Sequence, residues 1–239
     1  MRFENAKVFN FEGAFRGMRN PKESWKLSDS LPINANGTWL TDDEKKREYF
    51  LQYGVNFNIG EKDLKLAQRL IKAGTEHRKF MRQIFVSVDI TAPLYWFKEY
   101  DTYKVGTVAN SCSTMHKIAD KEFTLEDFSC EHLTVESITF GLEPVIDILN
   151  KNRELYIQWE NAGEEKTNLW WQMIQLLPSS YNQKRTVQLN YQVLKQMYFA
   201  RKDHKLDEWH ILCDWRLTLP YFKEVCVDTN IKEDDERNA

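Results

Sequence analysis

The residues best suited to chemistry gather in one stretch, RQIFVSVDITAPLYWFKEYDTYKVGTVANSCSTMH, from Arg82 to His116. Lys98, Lys104, Thr107, Asn110, Ser111, Ser113 and Thr114 place two cations and several hydroxyl or amide groups within a short span. Such a set suits gripping a phosphate and a ring carbonyl, because cations form charge-assisted hydrogen bonds while hydroxyls and amides both donate and accept. Tyr95, Trp96, Phe97, Tyr100 and Tyr103 run through the same stretch and offer faces on which a heterocycle can stack. Each feature also has a plainer reading. Ser, Thr and Asn side chains cap helices and satisfy their own backbone, and aromatic clusters beside a strand are usually core. No general base is set near Ser113 by the sequence, so composition alone does not make it a nucleophile.

The elements that must position these residues are legible on either side. Ile84, Val86, Val88 and Ile90 alternate with Phe85, Ser87 and Asp89, the period-two pattern of a half-buried strand, so the chain beyond Pro93 is delivered from a sheet. Between Glu61 and Gly74, Leu64, Ala67, Leu70 and Ile71 recur at helical spacing with Gly74 as a stop. Leu189, Val193, Met197 and Ala200 make a second helical stripe, and Ile211, Leu212, Trp215 and Leu219 a third that Pro220 ends. These last two meet at the charged turn Arg201 to Asp207. The middle, from Phe123 to Lys166, reads as short strand-like pieces such as Val135 to Phe140 followed by a helix from Pro144 to Asn152. Pro32 to Asp43 reads as a loop. The class is α+β, with one domain over 1–228 and an acidic flexible tail over 229–239.

Bulk properties narrow the function. A chain of 239 residues that is 42% hydrophobic and 13% aromatic can bury a substantial core. Lys and Arg total 33 against 36 Asp and Glu, so no global field draws it to nucleic acid or to an anionic membrane. No apolar run approaches the roughly 20 residues that cross a bilayer, and MRFENAKVFNFEG lacks the order of a secretion signal, which predicts a cytoplasmic protein. Cys112, Cys130, Cys213 and Cys226 are far apart and expected to be thiols. With His77, His116, His132, His204 and His210 equally scattered, no metal-ligand spacing is present.

The order of these pieces resembles the flavin-dependent thymidylate synthases, also called thymidylate synthase complementing proteins. That family runs from an AaR segment through LmxxgH, HxSPxEH, a strand ending in AP and the signature RQxxRHRxxSxNExSxRY, to LP and a helix reading NxRxLxHFLxLRxxxxAQxEI. Here Ala14-Phe15-Arg16, LIKAG at Leu70 to Gly74, and His77 leading to Arg82-Gln83 appear in turn. IFVSVDITAP at Ile84 to Pro93, Lys98-Glu99 at the RQ position, and NSCS at Asn110 to Ser113 follow. LLP ends at Pro178, and NYQVLKQMYFAR at Asn190 to Arg201 completes the series. The departures concern cations: RHR falls on Thr102, Tyr103 and Lys104, the arginine of NxR is Gln192, and Met115 and His116 close the motif. A lost guanidinium removes a bidentate phosphate clamp.

The resemblance implies a flavin-dependent thymidylate synthase-like fold, a central antiparallel sheet with long helices packed against it. It implies reductive methylation of dUMP to dTMP, with FAD, methylenetetrahydrofolate and NADPH. It implies Ser113 and Arg201 at the pyrimidine nucleotide as the catalytic pair. His77, Lys98, Glu99, Lys104, Thr107, Asn110 and Asn190 are implied as cofactor and phosphate contacts, and a homotetramer as the assembly. The other outcome it leaves open is a non-catalytic homologue that keeps the fold for nucleotide or partner-protein binding.

Overall fold

Strand β4 carries the fold, and its pattern explains why: Val86, Val88, Ile90 and Ala92 are all but fully buried while the residues between them are not. The computed structural model describes residues 1–33, 44–159 and 163–227. In chain order the elements are β1 (Arg2–Phe9), α1 (Phe11–Arg19), β2 (Leu31–Pro32), α2 (Glu44–Gln52), β3 (Phe57–Asn58), α3 (Glu61–Lys72), β4 (Phe85–Pro93) and α4 (Leu94–Tyr100). There follow β5 (Val108–Ser111), α5 (Thr114–Lys117), α6 (Val135–Ser137), α7 (Glu143–Gln158), α8 (Glu164–Leu176), β6 (Asn182–Asn190), α9 (Tyr191–Arg201) and α10 (Asp207–Trp215). The central antiparallel sheet has the order β1-β4-β6-β5, and β2 pairs with β3 in a small separate ribbon. The expected α+β class with long helices is the one observed.

Contacts divide the chain into two compact units. The first holds Met1–Arg2, Ile90–Thr102 and Asn110–Thr186; the second holds Phe3–Asp89, Tyr103–Ala109 and the chain from Val187. In the first unit α7 packs on α8. Its core is Ile118, Phe123, Phe128, Leu142, Ile146, Leu149 and Met173. In the second, aromatic rings interlock. Phe11 meets Tyr191 edge-on at 5.8 Å, Phe15 meets Phe80 at 5.8 Å, and Tyr221 stacks on Phe50 at 4.9 Å. Cys226 is buried there and burial pushes its thiol up to about 12, which makes it an inert structural thiol.

Helix α3 sits where its periodicity predicts, stopping at Ala73 before Gly74, whose φ of 105° suits glycine. Its N-terminus is capped from a distance. Asp29 accepts from Lys62 N at 2.9 Å and from Asp63 N at 3.1 Å. Partial burial pushes the Asp29 carboxyl up, but these backbone bonds outweigh it and hold it below its ordinary value. Asp63 itself is buried and forms an ion pair with buried Arg19 of α1 at 2.5 Å.

One expectation fails. Val135 to Phe140 is helical: α6 runs into a wider helical turn over Ile138–Leu142. Thr134 decides this, since its hydroxyl accepts from Ser137 N at 3.2 Å and caps the first turn, so the β-branched residues coil instead of extending. The helix expected over Pro144 to Asn152 is α7, which continues to Gln158, and α8 had no counterpart in the sequence reading. Most of the expected loop at Pro32 to Asp43, and the acidic tail, lie outside the described residues.

Breaking the Arg19–Asp63 pair leaves a buried guanidinium uncompensated. Asp63→Ala is therefore expected to cost about 3–5 kcal/mol, read as a lower midpoint in chemical denaturation with the slope unchanged.

Candidate functional site

In the second unit the segment Tyr103–Thr107, which carries Lys104 and Thr107, meets α9 at both ends, at Arg201 and at Asn190. Near the C-terminal end of α9, Arg201 Nε donates to the Tyr103 hydroxyl at 3.0 Å, and its guanidinium lies 4.7 Å from the Trp209 ring centre and 5.6 Å from that of Tyr103. Trp209 is fully buried on α10 and meets Tyr103 edge-on at 5.9 Å. His204, on the turn between α9 and α10, stands 6.2 Å from Trp209 and accepts from Leu206 N through Nδ1 at 3.1 Å. The arginine is thus held in an aromatic cage, oriented by the hydrogen bond to Tyr103 and by two ring faces.

At the other end of α9, Asn190 caps the helix: its side-chain oxygen accepts from Val193 N at 3.0 Å. Gly106 abuts this cap. With φ of 80°, a β-carbon there would come within 3.0 Å of both Asn190 Nδ2 and Val193 Cγ2, so only glycine lets the segment lie so close. Thr107 donates its hydroxyl to the Tyr103 carbonyl and tightens the turn. Lys104 is exposed on it.

The first unit holds four others of the residues singled out by sequence. Lys98 is exposed and Glu99 half-buried on α4, where the Glu99 carbonyl accepts from the Thr102 hydroxyl at 2.7 Å. Asn110 is exposed on β5. Ser113 caps α5, accepting from His116 N at 3.2 Å. A residue missed by sequence reading orders this region. Arg185 of β6 lies 3.9 Å over the Phe97 ring, donates to Asp101 at 2.8 Å and, through Nε, to Gln183 at 2.9 Å. Gln183 in turn donates to the Cys112 carbonyl at 2.9 Å. Trp96, Phe97 and Tyr100 are core, whereas Tyr103 is the aromatic that meets Arg201.

His77 belongs to a third feature, a cavity of about 1020 Å³ in the second unit. Met18, Leu27, Leu66, Leu70 and Phe80 contribute apolar wall, and Lys22, Lys62, Arg69 and Lys79 bring four cations. Glu76 is the one carboxylate among its lining residues. The hydrogen bond from Lys79, 3.0 Å away, holds the Glu76 carboxyl below its ordinary range. Apolar walls with a cationic rim suit an anion carrying a ring system. The cations of α3 were readable as a spacing in the sequence, but which face they occupy depends on what the helix buries.

No family model matches the sequence, and no curated protein matches it. Solved structures do, among them two that align over nearly their whole length. Thymidylate synthase X from Helicobacter pylori with FAD and dUMP is 15% identical, with a TM-score of 0.60 over 96% of this chain and 99% of that one. Flavin-dependent thymidylate synthase ThyX from Helicobacter pylori complexed with FAD and dUMP is 14% identical, with a TM-score of 0.62 over 97% and 100%. The chain has the fold of a flavin-dependent thymidylate synthase. At such low identity the likeness concerns the course of the backbone.

Because Gly106 is fixed by both its φ and its neighbours, Gly106→Ala is expected to lower stability by about 1–3 kcal/mol and to loosen the Arg201 cage. A fall in Tm accompanied by changed tryptophan fluorescence from Trp209 is the measurement that shows it; an unchanged spectrum means that the segment tolerates a side chain.

Proposed function

We propose that this protein binds FAD and a pyrimidine nucleotide such as dUMP, and that it is a divergent flavin-dependent thymidylate synthase working in the cytoplasm. The observation that carries this reading is the cavity at His77, whose apolar wall and four rim cations offer what a dinucleotide needs. The donors present fit FAD: Lys22, Lys62, Arg69 and Lys79 would meet the pyrophosphate, Met18, Leu66, Leu70 and Phe80 would bury a ring, and the Gln83 amide would bond a heteroatom. When bound, the flavin supplies redox chemistry that no side chain can. Two neighbours of the same fold are structures with FAD and dUMP, which supports the pairing of ligands.

The chain's own residues would bind and orient. Arg201, pre-set by Tyr103 and Trp209, would meet the pyrimidine, and Lys104 would neutralise phosphate. Lys98, Glu99, Thr107, Asn110, Ser113 and Asn190 belong to this reading as nucleotide and flavin contacts. A second reading, a non-catalytic nucleotide-binding homologue, is favoured by one geometric fact: the Nε of Arg201 already has a partner in the Tyr103 hydroxyl, and the side-chain oxygens of Asn190 and Ser113 already accept backbone bonds.

Purified protein is expected to take up FAD, visible as flavin absorption, and to gain about 2.7 kcal/mol of stability with dUMP at a hundred times Kd. Arg201→Ala and Lys104→Ala are expected to shrink the dUMP-induced rise in Tm while the apo proteins stay folded. A colourless protein unmoved by either ligand rejects both readings; binding without dTMP formation selects the second.

Self-association into a homotetramer is part of the proposal. Val135, Phe140, Ile157 and Trp171 of the first unit are exposed, Phe140 at 81%, and large apolar side chains left in water favour burial by a second copy. Phe140→Asp is expected to lower the mass seen by light scattering; an unchanged oligomer would place the interface elsewhere.

A further inference from the structure

The cavity at His77 is joined to a second depression. A more open groove of about 480 Å³ takes Lys62 and Arg69, which also line the cavity, and adds Lys65, Gln68 and Lys72. No carboxylate lines this groove. In a chain whose net charge is −3, four cations lining one depression are a local reversal of sign. They stand at 62, 65, 69 and 72, the i, i+3, i+7, i+10 spacing of one helical stripe, and so span about 15 Å along α3. All four are exposed.

Internal partners answer this charge only in part. Lys65 meets Glu61 at 2.5 Å, with both side chains mostly in solvent, where such pairs are weak. Arg69 and Lys72 gain from the C-terminal end of the helix dipole, yet neither is in an ion pair among the described residues. Gln68 is turned to the Glu224 carbonyl at 2.9 Å, so the stripe's polar neighbour is committed elsewhere and its cations face the groove. The opposite face of the helix is committed too, through buried Asp63, Ala67 and Ile71. Like charges placed in a row without carboxylates repel one another unless an anion of matching length lies across them.

We propose that Lys62, Lys65, Arg69 and Lys72 form a track for the extended polyanionic tail of a ligand whose ring system lies in the cavity, the tail being either an oligophosphate or a chain of linked carboxylates. The ring-binding half rests on the reading of the cavity given above; the track itself does not. A single small anion in so open a groove would be screened by water and salt, whereas a chain with several charges meets the four cations in succession and gains from each. The shared residues Lys62 and Arg69 mark where head and tail would join.

The test uses the full-length protein, with tripolyphosphate and hexaglutamate as separate probes in calorimetric titrations at low and at physiological salt. The double variant Lys65→Glu, Lys72→Glu changes groove residues that do not line the cavity. At least one probe is expected to bind the parent about tenfold or more tightly than this variant, with affinity falling as salt rises, and Lys65→Gln, Lys72→Gln is expected to fall between them. Which probe binds assigns the tail as phosphate or carboxylate. FAD uptake should stay at the parent level in the variants, so loss of tail binding with flavin retained, and loss of flavin with tail binding retained, are separate results. The idea is overturned if neither probe binds the parent, if both bind parent and variant alike, or if Lys117→Glu, Lys151→Glu in the first unit weakens binding equally, since that would be an effect of net charge alone.

Discussion

A buried ion pair organises the half of the molecule in which the cavity lies. Arg19 and Asp63 are almost entirely removed from solvent, and two charges taken out of water are tolerated only when every remaining donor and acceptor is met. Here they are. Arg19 donates to Asp63, to the Ser24 carbonyl at 3.2 Å and to the Leu27 carbonyl at 3.1 Å. The second oxygen of Asp63 accepts from the Ser28 hydroxyl at 2.5 Å and from Ser30 N at 3.3 Å. One carboxylate therefore ties α1, α3 and the connection between Ser24 and Ser30 into a single wall. Because Asp63 points inward with Ala67 and Ile71, Lys62, Lys65, Arg69 and Lys72 on the opposite face of α3 are directed away from the core and toward open depressions.

The same logic of satisfied polar groups shapes the residues proposed to act on a nucleotide. Asn190 and Ser113 are polar side chains at helix starts, where orphan backbone N–H groups wait for an acceptor, and each supplies one. Arg201 is the exception in kind: a long cation brought to a ring cluster and bonded to the Tyr103 hydroxyl. An arginine so restrained loses little conformational freedom when it meets a ligand, which favours binding through preorganisation. Its tyrosine partner is the middle residue of Thr102-Tyr103-Lys104, and the exposed positive charge of this unit is concentrated instead on α3.

Much of the fold was legible. The alternation from Ile84 to Ile90, the stripe of Leu64, Ala67, Leu70 and Ile71, and the helix running to Arg201 are local patterns whose period is dictated by the backbone, and each appears where expected. Val135 to Phe140 misled because β-branched residues suggest a strand, while the deciding bond, from Ser137 N to the Thr134 hydroxyl, is a capping interaction that outweighs so weak a propensity. The fold class was also legible, and two solved structures of that fold match over nearly the whole chain.

What the sequence by itself determined is the set of elements, their order and the chemical character of the Arg82 to His116 stretch, because periodicity and residue type act over a few residues. Tertiary structure alone decided which cations share a depression, that Tyr103 and Trp209 enclose Arg201, that Arg185 orders the strand beside Cys112, and that Arg19 finds Asp63. Arg19 and Asp63 are 44 positions apart, Gln183 and Cys112 are 71 apart, and Tyr103 and Arg201 are 98 apart. Long-range pairing of that kind depends on how whole faces are buried, and no local pattern encodes it.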